Sequence, residues 1–173
     1  MLAMATAAMW FTAPTQAATA AIVPEHAETP EDWIGFRLPV FSAHALQGPN
    51  LRTTEYSGDV LLLAFWASWC GRCEEQLSWV QGLDATYRRA GLVVLGVTLD
   101  DSPAEAREFA AAAHVGFPVM HDVTKTISRR FALTDLPTLM LVDRAGVVRQ
   151  VYGRLDRKSR AALVEDIRQL LDE

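Results

Sequence analysis

Cysteine is scarce in this chain. Two of the 173 residues are Cys, too few for the disulfide framework of a small secreted scaffold or for a four-thiolate zinc site. Basic charge is short as well: 16 Lys and Arg stand against 21 Asp and Glu, a net charge of −5. No basic excess exists to argue for a nucleic acid or an anionic membrane surface, and no nucleic acid is expected as a partner. Charge of either sign is missing before Glu25. That opening stretch is apolar and alanine-rich, yet Pro14 and Gln16 interrupt it. An unbroken run of about 18 apolar residues, the length of a membrane-spanning helix, is therefore absent from it. An export signal fits better: apolar Ala7–Phe11 and Ala17–Val23 come with small residues, and Ala18-Thr19-Ala20 or Thr15-Gln16-Ala17 supplies a cleavage region. The usual Lys or Arg ahead of the apolar part is lacking. Residues 1–23 are read as this signal or as a membrane-proximal targeting segment. Residues 24–32 are polar and bracketed by Pro24 and Pro30, the composition of a linker. One domain is expected over 33–173.

What is present is ample apolar material: half the residues are hydrophobic and 21% are charged, enough to build a packed core. Phe36–Ala45 and Leu51–Thr54 flank Gln47-Gly48-Pro49-Asn50 and predict a β-hairpin. Asp59–Trp66 is almost continuously apolar, which suits a strand buried on both faces; Leu92–Leu99 is a second such run. Leu77, Val80, Leu83 and Tyr87 recur at helical spacing up to Gly91, a natural stop. Ser102-Pro103-Ala104-Glu105 carries a cap, a first-turn proline and an acid at the third helical position, opening a helix that runs to about His114. Val123–Leu133 predicts a short helix. Leu139–Val142 and Val147–Tyr152 predict strands around Asp143-Arg144-Ala145-Gly146, and Asp156–Leu171 an amphipathic last helix. The order ββ-β-α-β-α-α-β-β-α implies an α/β domain with a buried sheet between helices.

Both cysteines fall in one motif, Trp69-Cys70-Gly71-Arg72-Cys73, directly after a predicted buried strand and at the start of a predicted helix. Residues three apart on a helix share a side, so the two sulfurs can bridge. Cys70 at the helix N-terminus meets unpaired N–H groups that favour a thiolate, the attacking species. Cys73, one turn in, is expected to be more buried and to act as the resolving thiol. A metal site needs more ligands than this pair. The candidates His26, His44, His114 and His121 form no close-set pair, since Gly116 and Pro118 intervene between the last two. Neither a metal nor an organic cofactor is expected.

Trp66-Ala67-Ser68-Trp69-Cys70-Gly71-Arg72-Cys73 resembles the W-A-x-W-C-x-x-C segment of thioredoxin-like proteins. Leu136-Pro137-Thr138 followed by Val142–Gly146 resembles their cis-proline loop and closing hairpin. The strand pair ahead of Gly58-Asp59 points to the TlpA/ResA-type thiol–disulfide oxidoreductases, and the resemblance spans about residues 36–172. It implies a thioredoxin-like fold: a central mixed β-sheet flanked by helices, with an N-terminal β-hairpin extension. It also implies Cys70 as nucleophile, Cys73 as resolving cysteine and Pro137 as a cis-proline facing them. Leu136 would then offer its backbone to a substrate segment, beside Thr138 and a partly exposed Trp69. The resemblance further implies a monomer that works in the periplasm or another extracytoplasmic space. There it would exchange disulfides with protein thiols and an electron-donor thiol protein, with apocytochrome c before haem attachment as one substrate.

Three positions depart from the family pattern. Ala64 stands where thioredoxin has a buried acid, Gln76 where ResA-type proteins carry Glu, and Ser78 where a helix-kinking proline is usual. The carboxylate that would deprotonate Cys73 is thus missing at both expected places, which keeps open a catalytically weak thioredoxin-like binding module. A thiol peroxidase is a further alternative, but Ala67 and Leu63 stand where its Thr and Pro would be needed. Arg72 between the cysteines is expected to favour the Cys70 thiolate and so a more oxidising couple than thioredoxin, at about −270 mV. Redox titration of the wild type and Arg72→Ala tests this: the potential should fall in the variant, and an unchanged value contradicts it.

Overall fold

A computed structural model describes residues 23–173. The targeting segment read over 1–23 therefore lies outside the described residues except for Val23. The sheet is organised around Val60–Trp66 (β3), apolar and buried at every position. It runs parallel to Leu92–Thr98 (β4) and antiparallel to Thr138–Val142 (β6). Two further strands lie beyond β4: Val119–His121 (β5), parallel to it, and Ser42–Ala45 (β1), antiparallel to β5. Leu51–Arg52 (β2) forms one edge of the seven-stranded sheet, and Val148–Tyr152 (β7) forms the other, paired with β6.

Strand geometry sends alternate side chains of β3 to opposite faces. Val60, Leu62, Ala64 and Trp66 meet Cys73–Tyr87 (α1), Pro103–Ala112 (α2) and Arg157–Asp172 (α4) on one side. Leu61, Leu63 and Phe65 meet Trp33, Phe41, Ile127 and Phe131 on the other. This explains the continuous apolar run: a strand covered on both faces has no polar positions to spare. The helix ends follow their local chemistry. Ser102 accepts the Glu105 N–H, Asp156 accepts the Ser159 N–H, and Gly91 closes the α1 segment at φ 103°.

The structure adds one strand that the predicted order lacks. β5 has only three residues after Pro118 and shows no readable alternation; it exists because β4 and β1 pair with it on both sides. The N-terminal hairpin is present but short, because Thr53–Tyr56 turns into a 3-10 segment. The helix predicted over Val123–Leu133 contracts to Thr126–Arg130 (α3), with left-handed Lys125 before it and left-handed Ala132 two residues beyond its end. Asp122 accepts the N–H groups of Ile127 and Ser128 there, at 3.2 and 2.8 Å. At the N-terminus, Pro30–Trp33 forms a 3-10 turn with Pro30 and Trp33 buried. Residues 30–32 of the stretch read as a linker thus belong to that turn.

Phe131 joins these outer pieces, with its ring against Trp33, Phe41 and Phe65 at centroid distances of 4.9, 5.7 and 5.7 Å. Truncating a fully buried aromatic leaves a cavity between elements that cannot collapse together. Phe131→Ala is expected to cost about 3–5 kcal/mol in urea unfolding of the oxidised protein; a loss under about 1 kcal/mol contradicts this role.

Candidate redox site

β3 delivers the chain to one end of the sheet. Ala67, Ser68 and Trp69 then turn into Cys70, whose N–H donates to the Ala67 carbonyl at 3.1 Å. The Cys73 N–H donates in turn to the Cys70 carbonyl at 2.9 Å. Cys70 and Cys73 are joined as a disulfide, with Cα atoms 5.4 Å apart. The α-helix proper begins at Cys73 with Arg72 at its cap. Cys70 therefore occupies the turn before the helix rather than its first turn, a shift of one turn from the sequence expectation.

Burial distinguishes the two sulfur-bearing residues. Cys70 is 8% exposed and Cys73 fully buried, so an incoming group reaches Cys70 first. Trp69 beside it is 69% exposed, while Trp66 is buried in the core. A groove of about 440 Å³ runs along Trp69, lined also by Leu99, Lys125, Ala132 and Leu133. Its Lys125 ammonium sits 2.6 Å from Asp101 and holds that exposed carboxyl below the usual carboxylate range.

The second loop reaches the same end of the sheet because Thr138 opens β6 opposite Phe65. The Leu136–Pro137 peptide is cis. Pro137 and Thr138 are buried, and half-buried Leu136 packs against both cores. The Leu136 N–H donates to the Asp135 carboxylate and the Thr138 hydroxyl to the Asp135 carbonyl, both at 2.8 Å.

Gln76 is buried one turn after Cys73, and both ends of its amide are engaged. It donates to the Gly153 carbonyl at 3.3 Å and accepts from the Leu155 N–H at 2.9 Å, fixing the β7–α4 connection against α1. Glu74 and Glu75 are exposed, with Glu75 paired to Arg160 at 2.6 Å. Arg72 is exposed and makes no ion pair among the described residues. No cluster of three or more metal-ligating side chains occurs among the described residues. One acid near the site was missed from sequence. Asp100 is buried just beyond β4, and its carboxylate accepts from Ser68. Its only local signal is an acidic residue closing an apolar strand.

A thioredoxin-like sheet with a Cys-x-x-Cys disulfide at the end of its central strand defines a thiol–disulfide oxidoreductase. Comparison with known proteins agrees. Residues 34–151 match the AhpC/TSA family, and the chain belongs to it. It is 28% identical over 139 residues to the thiol-disulfide oxidoreductase ResA of Geobacillus thermodenitrificans, covering 80% of this chain and 76% of that one. A solved chain from Chlorobium tepidum, assigned as a thiol:disulfide interchange protein DsbE, is 29% identical with a TM-score of 0.74. That match covers 78% of this chain and 95% of the other. DsbF from MTB, solved in mixed oxidised and reduced forms, is 26% identical with a TM-score of 0.66 over 73% of this chain and 94% of its own. The chain is thus an oxidoreductase of ResA/DsbE type.

The Gln76 amide makes its replacement informative. In Gln76→Glu the neutral carboxyl keeps both hydrogen bonds, whereas the carboxylate anion would face the Gly153 carbonyl, so burial and that carbonyl favour the proton. Gln76→Glu is expected to speed reduction of a substrate disulfide near neutral pH, because it places a proton carrier one turn from Cys73. Gln76→Ala is expected to lose about 1–3 kcal/mol in urea unfolding and to gain no rate. An unchanged rate in Gln76→Glu contradicts the proton-carrier reading.

Proposed function

We propose that this protein exchanges disulfides with folded or unfolding protein substrates outside the cytoplasm, with Cys70 as the attacking thiol and Cys73 as the resolving one. The observation that carries the reading is the unequal burial of the two cysteines at the end of one strand. In the reducing direction, the Cys70 thiolate attacks a substrate disulfide and releases one substrate thiolate. Cys73 then loses its proton, attacks the Cys70 sulfur of the mixed disulfide and releases the second substrate thiol. Two electrons pass to the substrate, the Cys70–Cys73 bond forms, and an electron-donor thiol protein must reopen it.

The substrate segment lies across Trp69, Leu136, Pro137 and Thr138, with the groove beside Trp69 receiving an apolar side chain. Extended peptide groups of the substrate meet the Leu136 backbone, which supplies affinity with little dependence on side chains. Arg72 tunes the Cys70 thiolate, and Gln76 holds the wall behind Cys73. Residues 1–23 supply the export signal in this reading. Reduction of apocytochrome c before haem attachment is the specific task that the TlpA/ResA resemblance supports.

A weak binding module is the second reading. It is favoured by the absence of a carboxylate at Ala64 and Gln76, which leaves the Cys73 proton to water or to the departing thiolate. Trapping separates the two. Cys73→Ser should accumulate mixed disulfides through Cys70 with extracytoplasmic proteins, apocytochrome c among them, and the wild type should reduce insulin. No trapped partner and no insulin turnover would favour the binding module.

A further inference from the structure

Asp100 is 1% exposed. Its carboxylate accepts the Ser68 N–H at 3.0 and 3.1 Å, the Ser68 hydroxyl at 2.5 Å and the Thr98 hydroxyl at 2.6 Å. No cation shares these oxygens among the described residues. Lys125 Nζ and His121 Nε2 meet instead the main-chain carbonyl of Asp100, at 3.4 and 2.7 Å. A carboxylate taken out of water and held only by neutral donors is costly. The hydrogen bonds that offset the cost are the strong, charge-assisted kind, and most of them come from one residue.

That residue is two positions before Cys70. Between the end of β3 and the start of α1, the chain is otherwise held by bonds internal to the turn, from Cys70 to Ala67 and from Cys73 to Cys70. Among the described residues, Asp100 provides the one side chain from elsewhere in the fold that hydrogen-bonds to this turn. By taking both the N–H and the hydroxyl of Ser68, it fixes the backbone and the side-chain rotamer of that residue together.

The turn depends on this anchor most when the disulfide is open. In the oxidised protein the covalent bond itself holds Cys70 beside Cys73. In the dithiol that tether is gone, and beside the packing of Cys70 in the core, the hydrogen bonds of Ser68 and of the short turn hold the segment that carries it. We infer that Asp100 is a positioning residue for thiol–disulfide exchange: through Ser68 it keeps Cys70 within reach of Cys73 in the dithiol state and so raises the effective concentration of one thiol toward the other.

The inference rests on the redox role of the pair but not on any protein substrate. Its test is therefore the small-molecule equilibrium, in which the dithiol protein plus one oxidised glutathione gives the disulfide protein plus two reduced glutathiones. The equilibrium constant of this reaction is an effective concentration, and displacing one partner lowers it.

Asp100→Ala should lower the constant by about tenfold or more, and Ser68→Ala, which changes no charge, by about threefold. Ser68→Thr keeps a hydroxyl and should stay within about twofold of the wild type. The midpoint of the pH dependence of Cys70 alkylation by iodoacetamide should be unmoved in Ser68→Ala. Near-UV circular dichroism of the oxidised variants reports whether they fold. Should Asp100→Ala fail to fold, Ser68→Ala decides alone. An unchanged constant in Ser68→Ala overturns the inference. So does a shifted alkylation midpoint that accounts for the whole change, since Asp100 would then act through charge rather than position. A wild type that reduces no insulin, with no partner trapped by Cys73→Ser, while the Asp100 and Ser68 variants show the expected glutathione shifts, would defeat the protein-substrate reading and leave this inference standing.

Discussion

Burial of β3 on both faces is the constraint from which the chemistry follows. Seven consecutive apolar residues from Val60 to Trp66 are covered above and below and paired on both edges, so the strand has neither rotational nor register freedom. Its end is a fixed point in the molecule. The cysteines begin four residues later, and the Leu136–Pro137 loop enters the neighbouring strand at the same level because Thr138 pairs with Phe65. A surface disulfide on a mobile loop would have no defined approach. This one inherits its geometry from the most buried part of the sheet.

Polar groups near the site are distributed differently from the family pattern. At the two positions where an acid would be usual, Ala64 brings none and Gln76 uses its amide to hold the β7–α4 connection. The buried carboxylate in the neighbourhood is Asp100, just beyond the adjacent strand, and it faces the turn carrying Cys70 rather than the helix carrying Cys73. The loss of an acid at Ala64 and Gln76 does not empty the site of electrostatic structure; the acid present contacts the main chain and hydroxyl of Ser68.

Local patterns made much of this legible. The two continuous apolar runs identified β3 and β4 because a strand covered on both faces shows no alternation. Ser102-Pro103-Ala104-Glu105 and Asp156 marked helix starts through the N–H groups that they satisfy. The Cys-x-x-Cys spacing identified the redox pair. β5 was not legible, since three residues between Pro118 and Asp122 carry too little pattern and only pairing on both sides makes them a strand. The 3-10 turn at Pro30–Trp33 was hidden by its polar composition, although Trp33 is buried against Phe131. The long-range contacts of Asp100 and Gln76 were opaque for a common reason. Their partners lie 32 and 77 to 79 positions away, and no window along the chain shows which backbone group a buried side chain will meet.

Reversible joining of Cys70 and Cys73 is the claim on which all else rests. The direct measurement is a glutathione redox series from both the oxidised and the reduced protein, with free thiols alkylated and counted by mass. The expected result is one two-electron transition in which Cys70 and Cys73 gain their labels together, with the same curve from either direction. A pair that stays closed or open across the whole series, or that takes up a single label over a broad range, would contradict it.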